Sequence, residues 1–188
     1  MASDEHRRDC WDQAIYAFGT AHIFERRLVS ARKKLRVLTF LGVLVPVAVG
    51  GIVVSFFGIE ALRPFLSWLI VAAGILGTIQ LSFTLWALVA KWDDIATYAA
   101  SSSSENRRLA ARFEELGRMP PTDFEVQYQL LKADNTRRQE ADIQQGISEA
   151  EKRMITRAGL RQYQRPCVEC KTVPRDMTST NCPVCGNF

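Results

Sequence analysis

Two apolar runs, residues 37–59 and 64–90, carry no ionised side chain, and only Glu60, Ala61, Leu62 and Arg63 stand between them. At roughly 1.5 Å per helical residue, either run spans a hydrocarbon core of about 30 Å. Lipid offers no partner to a backbone amide, so each run is predicted to be helical throughout, and the short link predicts an antiparallel hairpin. Before the first run, Trp11, Ala14, Phe18, Ala21, Phe24, Leu28, Ala31 and Leu35 recur at steps of three and four, the mark of a helix with one apolar seam. After the second, Ile95, Ala99, Ser102, Asn106, Leu109, Phe113 and Leu116 keep a strict heptad. Its register runs back through Trp92, Leu88, Leu85, Leu81 and Thr78, which predicts one helix over 64–117.

Gly117, Pro120 and Pro121 end that helix. Thr122 and Glu125 have capping-box spacing ahead of Phe124, Tyr128 and Leu131. Residues 132–142 are almost wholly polar and read as solvated. Ile143, Ile147, Ala150, Met154 and Ala158 then restore an apolar stripe. The fold class this implies is an all-α membrane protein: a two-span hairpin, long cytosolic helices and a small zinc-ribbon-like tail. Its parts are an amphipathic helix at 1–36, the hairpin at 37–90, cytosolic helices at 91–160 and the tail at 161–188.

Small and polar residues mark the faces of the hairpin. Gly42, Pro46 and Gly50 share one face of the first run, and Gly51, Ser55 and Gly58 form a second small-residue edge. Pro64 suits the opening of the second helix. In that helix Ala73, Gly77, Gln80, Thr84, Ala87 and Lys91 form a stripe. Polar groups within a bilayer face protein or a water-filled path. Two readings stay open: the stripe packs on the first span, with Gln80 bonding across, or Gly77, Gln80, Thr84 and Lys91 line a pore. Two helices enclose no channel, so a pore requires an oligomer, and the heptad from Ile95 to Leu116 is the seam expected to build it. The polar spot at Ser102 and Asn106 reads as a hinge, a wet opening or a flexible exit.

Composition alone looks ordinary, with 188 residues, 47% hydrophobic and a net charge of +4. The average conceals a greasy centre between charged flanks. Residues 1–35 are too long and too charged for the n-region of a signal peptide, so the first run is expected to persist in the mature protein. Arg26, Arg27, Arg32, Lys33, Lys34 and Arg36 precede the first span with no acid among them from residue 26 onward, and the turn carries only Arg63. Basic flanks stay cytosolic, so both termini are expected to face the cytosol. The same cluster suits anionic headgroups, at roughly 1 kcal/mol per basic residue. His6 and His22 read as ordinary helix residues and Cys10 as a lone reduced thiol.

The tail reads Cys167-Val-Glu-Cys170, eleven residues, then Cys182-Pro-Val-Cys185-Gly186. Two such pairs supply the four thiolates of a closed tetrahedral zinc site. A reduced cytosolic compartment disfavours disulfides, and no alternating strand and helix pattern supports a redox role. The arginines at 157, 161, 165 and 175 and Lys171 admit nucleic-acid contact, though Tyr163 and Phe188 are the few aromatics near for stacking.

The order of charged helix, tight hairpin, continuing helix and further helix resembles the SLATT domain, a two-transmembrane module found beside prokaryotic anti-phage conflict systems. The spacing of Cys167, Cys170, Cys182 and Cys185 is similar to that of its mobile-element subgroup, the mobilome CxxC-x11-CxxC proteins. The resemblance implies an oligomeric effector that permeabilises the inner membrane when a separate sensor protein, or the tail itself, triggers it. The alternative is a membrane-tethered zinc-ribbon adaptor that recruits protein or nucleic acid. An enzyme is not expected: Asp93 and Asp94 are adjacent, so they face different sides of a helix, and no His or Ser partner accompanies them.

Overall fold

The computed structural model describes residues 2–56 and 63–188, and the expected turn at 58–63 lies outside it except for Arg63. Among the described residues there are five helices and no strand. They are α1 (Ala2–Phe56), α2 (Arg63–Val89), α3 (Trp92–Arg118), α4 (Phe124–Ile143) and α5 (Glu149–Gln162). Two compact units divide the chain: Met1–Arg27 with Tyr98–Phe188, and Leu28–Thr97. α1 runs unbroken from Ala2 to Phe56, with Pro46 inside it.

The larger unit is built around the first part of α1. Cys10, Ala14 and Ala17 are small, so α3 packs closely through Leu109, Phe113 and Leu116, and α4 through Phe124, Tyr128 and Leu131. Phe113 is wholly buried, and such a side chain contributes roughly 1.5–3 kcal/mol. A single seam on α1 was too few. A second face, at Ile15 and Gly19, meets α5. A Cβ on Gly19 would lie 2.0 Å from the Ile155 carbonyl oxygen, and one on Gly159 would lie 2.2 Å from that of Ile15. The two glycines let α1 and α5 approach backbone to backbone, a contact that sequence periodicity did not announce.

Six of the seven heptad positions on α3, all but Ile95, are buried within this one chain. The polar pair among them is neither hinge nor opening. Asp142, 1% exposed, accepts hydrogen bonds from Tyr98 Oη (2.8 Å), Ser102 Oγ (2.8 Å) and Asn106 Nδ2 (2.7 Å). Arg138 Nη2 completes the set at 2.7 Å and its Nη1 reaches Glu105 at 2.9 Å. Residues 132–142 are largely exposed, but Asn135 and Asp142 within them are buried: Asn135 donates to Gln13 Oε1 of α1 at 2.8 Å, and α3 supplies donors to Asp142. Burial, with the bond to Asp142, pushes the Tyr98 phenol well up.

Three local expectations need correction. The helix predicted over 64–117 is broken at Ala90 and Lys91, where Lys91 takes φ 49°. Asp93 and Asp94 then form the acidic first turn of α3, favourable at a helix N-terminus. Thr122 and Glu125 form no capping box; α4 has Asp123 at its N-cap without a side-chain bond, and Glu125 instead meets His6 Nδ1 at 2.8 Å. The stripe from Ile143 to Ala158 is interrupted at Gly146 (φ 64°), and Ser148 with Glu151 makes the capping box that starts α5.

The smaller unit holds the hairpin helices, and both are long and apolar enough to cross a membrane. Their large side chains point outward: Phe40, Val47, Trp68 and Leu88 are each more than 60% exposed. The expected glycine-lined contact forms at one level only. Gln80 Nε2 lies 3.6 Å from the Cβ position of Gly42, while Gly50 and Gly77 have nothing within 4 Å. Elsewhere Leu38, Val45, Leu76 and Ile79 border an apolar cleft of about 500 Å³ between the helices.

Candidate metal centre

The tail follows α5 as two knuckles. In the first, Cys167 N donates to the Thr172 carbonyl and Lys171 N to that of Cys167, both at 3.0 Å. Lys171 takes φ 55° to close this turn. In the second, Gly186 N donates to the Cys182 carbonyl at 3.0 Å. Gly186 is needed for closeness, since a Cβ there would meet Thr180 Oγ1 at 2.1 Å.

The knuckles bring all four sulfurs within 4.8 Å of one another. The pairs interleave, with Cys167 Sγ 3.9 Å from Cys182 Sγ and Cys170 Sγ 3.7 Å from Cys185 Sγ. A disulfide needs about 2.05 Å, so no pair is bonded. A tetrahedral ion with metal–sulfur bonds of about 2.3 Å places its ligands about 3.8 Å apart, the spacing found here. The donor set therefore fits a metal ion. Cys170 is lowered to about 6 by the Thr172 hydroxyl and amide, and Cys182 is held low by the Cys185 and Val184 amides. Burial, then the neighbouring thiols, push Cys185 up. A cation held by the four sulfurs would favour the thiolate form of all of them. Four thiolates around one ion would leave no open coordination position.

α5 holds the module in place. Leu160 packs with Cys167 and Cys185. The Arg157 guanidinium, 6% exposed, donates from Nε to the Asp176 carbonyl (2.8 Å), from Nη1 to the Cys185 carbonyl (3.3 Å) and from Nη2 to Asp176 Oδ1 (3.3 Å). Arg153 Nη1 reaches the Asn187 carbonyl at 2.8 Å. Arg157 is thus an internal clamp and not a surface for nucleic acid. The cue in sequence is its step of four from Arg153 and three to Leu160, which puts all three on one face. Arg165 lies over the Trp11 ring at 5.9 Å, while Arg161 and Arg175 are exposed.

The other expected site residues are dispersed. Gly77 and Thr84 are exposed on α2, with the Thr84 hydroxyl bonded to the Gln80 carbonyl at 3.0 Å. Gln80 is half-buried, and Lys91 is exposed in the break between α2 and α3. Of the basic cluster, Arg32, Lys33, Lys34 and Arg36 are exposed, as is Arg26. Arg27 is committed within the chain: it pairs with Glu151 at 2.7 Å and donates to the Gln145 and Gly146 carbonyls at 3.0 Å. Cys10 is buried, and burial pushes its thiol up to about 11.

A family model described as "Mobilome CxxCx(11)CxxC protein" matches residues 7–188. No curated protein and no solved structure matches the chain.

Proposed function

The chain belongs to the mobilome CxxCx(11)CxxC family, and from that membership we propose that it is a two-span inner-membrane effector of a mobile-element or anti-phage conflict system. In this reading α2 and the apolar part of α1 cross the bilayer, both termini are cytosolic, and copies associate in the membrane to form a pore. The likeness to SLATT modules belongs to the same proposal. The observation that supports it is a set of small and hydroxyl-bearing residues exposed on α2: Gly74, Gly77, Thr78, Ser82 and Thr84, with neither glycine having a neighbour within 4 Å of its Cβ position. In lipid, small residues and hydroxyls of this kind are where helices associate. The α3 heptad is occupied within the chain, so association runs through the hairpin. The four cysteines take zinc, and the module stabilises the end of the bundle.

The test is ion flux from liposomes holding the purified chain, with its oligomeric size measured in the same membranes. Gly77→Leu should abolish both flux and association. A stable membrane oligomer without flux would refute the pore. A second reading, a membrane-tethered zinc-ribbon adaptor, is favoured by the self-contained α3 seam and by exposed Val168, Lys171 and Arg175 on the module. It requires that an unrelated hairpin substitute for residues 37–90 without loss of function.

A further inference from the structure

The cleft between the hairpin helices has one charged end. Its walls are apolar apart from Gln80, with Leu38, Leu41 and Val45 from α1 facing Leu76, Ile79 and Phe83 from α2. At one end stand Lys33 and Lys34, with Lys34 Nζ 5.3 Å from the centre of the Trp92 ring. No acidic residue borders the cleft. From Lys34 to Val45 is eleven residues of helix, about 16 Å. That is about half of a hydrocarbon core of roughly 30 Å, the depth of one leaflet. A tryptophan beside the lysines marks the headgroup level, where indole rings collect.

We propose that this cleft binds one anionic phospholipid of the cytosolic leaflet, with an acyl chain along Leu38–Val45 and the phosphate at Lys33 and Lys34. Charge complementarity selects the occupant: two ammonium groups at the mouth of a trough whose walls are apolar but for Gln80 match a negative headgroup above a hydrocarbon chain. Basic pockets between membrane helices on the cytosolic side recognise such headgroups. Arg32 and Arg36, on the same helix, do not border the cleft and attract lipid only as diffuse charge.

The inference rests on the membrane-spanning part of the proposed function and not on the pore. The test is native mass spectrometry of the full chain released from micelles containing equal phosphatidylglycerol and phosphatidylcholine. The wild-type chain should retain one phosphatidylglycerol in preference. Lys33→Gln with Lys34→Gln should reduce that preference on the order of tenfold or more. Arg32→Gln with Arg36→Gln removes the same charge and should leave it within about twofold, while Leu38→Trp should fill the trough and release both lipids. Equal losses in the two charge variants, or a second copy occupying the cleft in a lipid-free dimer, would overturn the site. Alkaline extraction of native membranes separates the two failures. A chain that stays in the pellet without lipid preference defeats only the lipid site, and one that leaves with the aqueous phase defeats the membrane reading as well.

Discussion

Asp142→Ala tests whether the polar network between α3 and α4 holds the larger unit together. The carboxylate is buried, and four side chains donate to it: Tyr98, Ser102, Asn106 and Arg138. Its removal leaves a guanidinium that is only 11% exposed with Glu105 as its remaining partner, and takes the carboxylate from three neutral donors. Breaking a buried ion pair from one side costs about 3–5 kcal/mol, and each orphaned donor adds about 1–3 kcal/mol where water cannot enter. These costs overlap, so the lower figure is the safer one. At about 2–4 °C per kcal/mol for a chain of this size, the expected fall in melting temperature is on the order of 10 °C. The assay is thermal unfolding in detergent followed by near-ultraviolet dichroism, with hydrogen exchange to localise the loss to α3 and α4. Asp142→Leu with Arg138→Met should recover much of the loss, since it removes both charges and refills the space. A melting temperature for Asp142→Ala within about 2 °C of wild type would refute the argument, because it would mean the donors find water at no cost.

Other outcomes follow from the same geometry. Gly159→Ala places a methyl against the Ile15 carbonyl at 2.2 Å, so α1 and α5 must separate; a loss of about 1–3 kcal/mol is expected, and unchanged exchange in α5 would count against it. Cys182→Ser should abolish stoichiometric metal, read by elemental analysis, and chelation of the wild-type chain should expose residues 163–188 to protease; full metal in the variant would overturn the four-thiolate assignment. Although burial opposes it, Arg27 together with the Ser148 amide and hydroxyl holds Glu151 below its ordinary value of 4.5. That contribution is complete above about pH 4.5 and is lost as pH falls through the lower folded value, so α5 should loosen in acid, and Glu151→Gln should flatten this part of the pH–stability profile.

The sequence by itself determined what depends on composition over short spans. Twenty or more residues without a charge make a helix that can cross lipid, and four cysteines at fixed spacing bring four sulfurs together, because both signals lie in adjacent or periodic positions. The α1 and α3 seams were legible for the same reason, since a face that repeats every three or four residues is a buried face. Periodicity does not say what buries it. Only the tertiary structure decided that the α3 heptad packs within its own chain and that Asp142 meets donors 36 to 44 residues away. It also decided that Gly19 and Gly159 admit a neighbouring backbone and that Arg157 clamps the metal module. A buried polar group or a bare glycine has the same local pattern as a solvated one, and the difference lies in the distant atoms that the fold places against it.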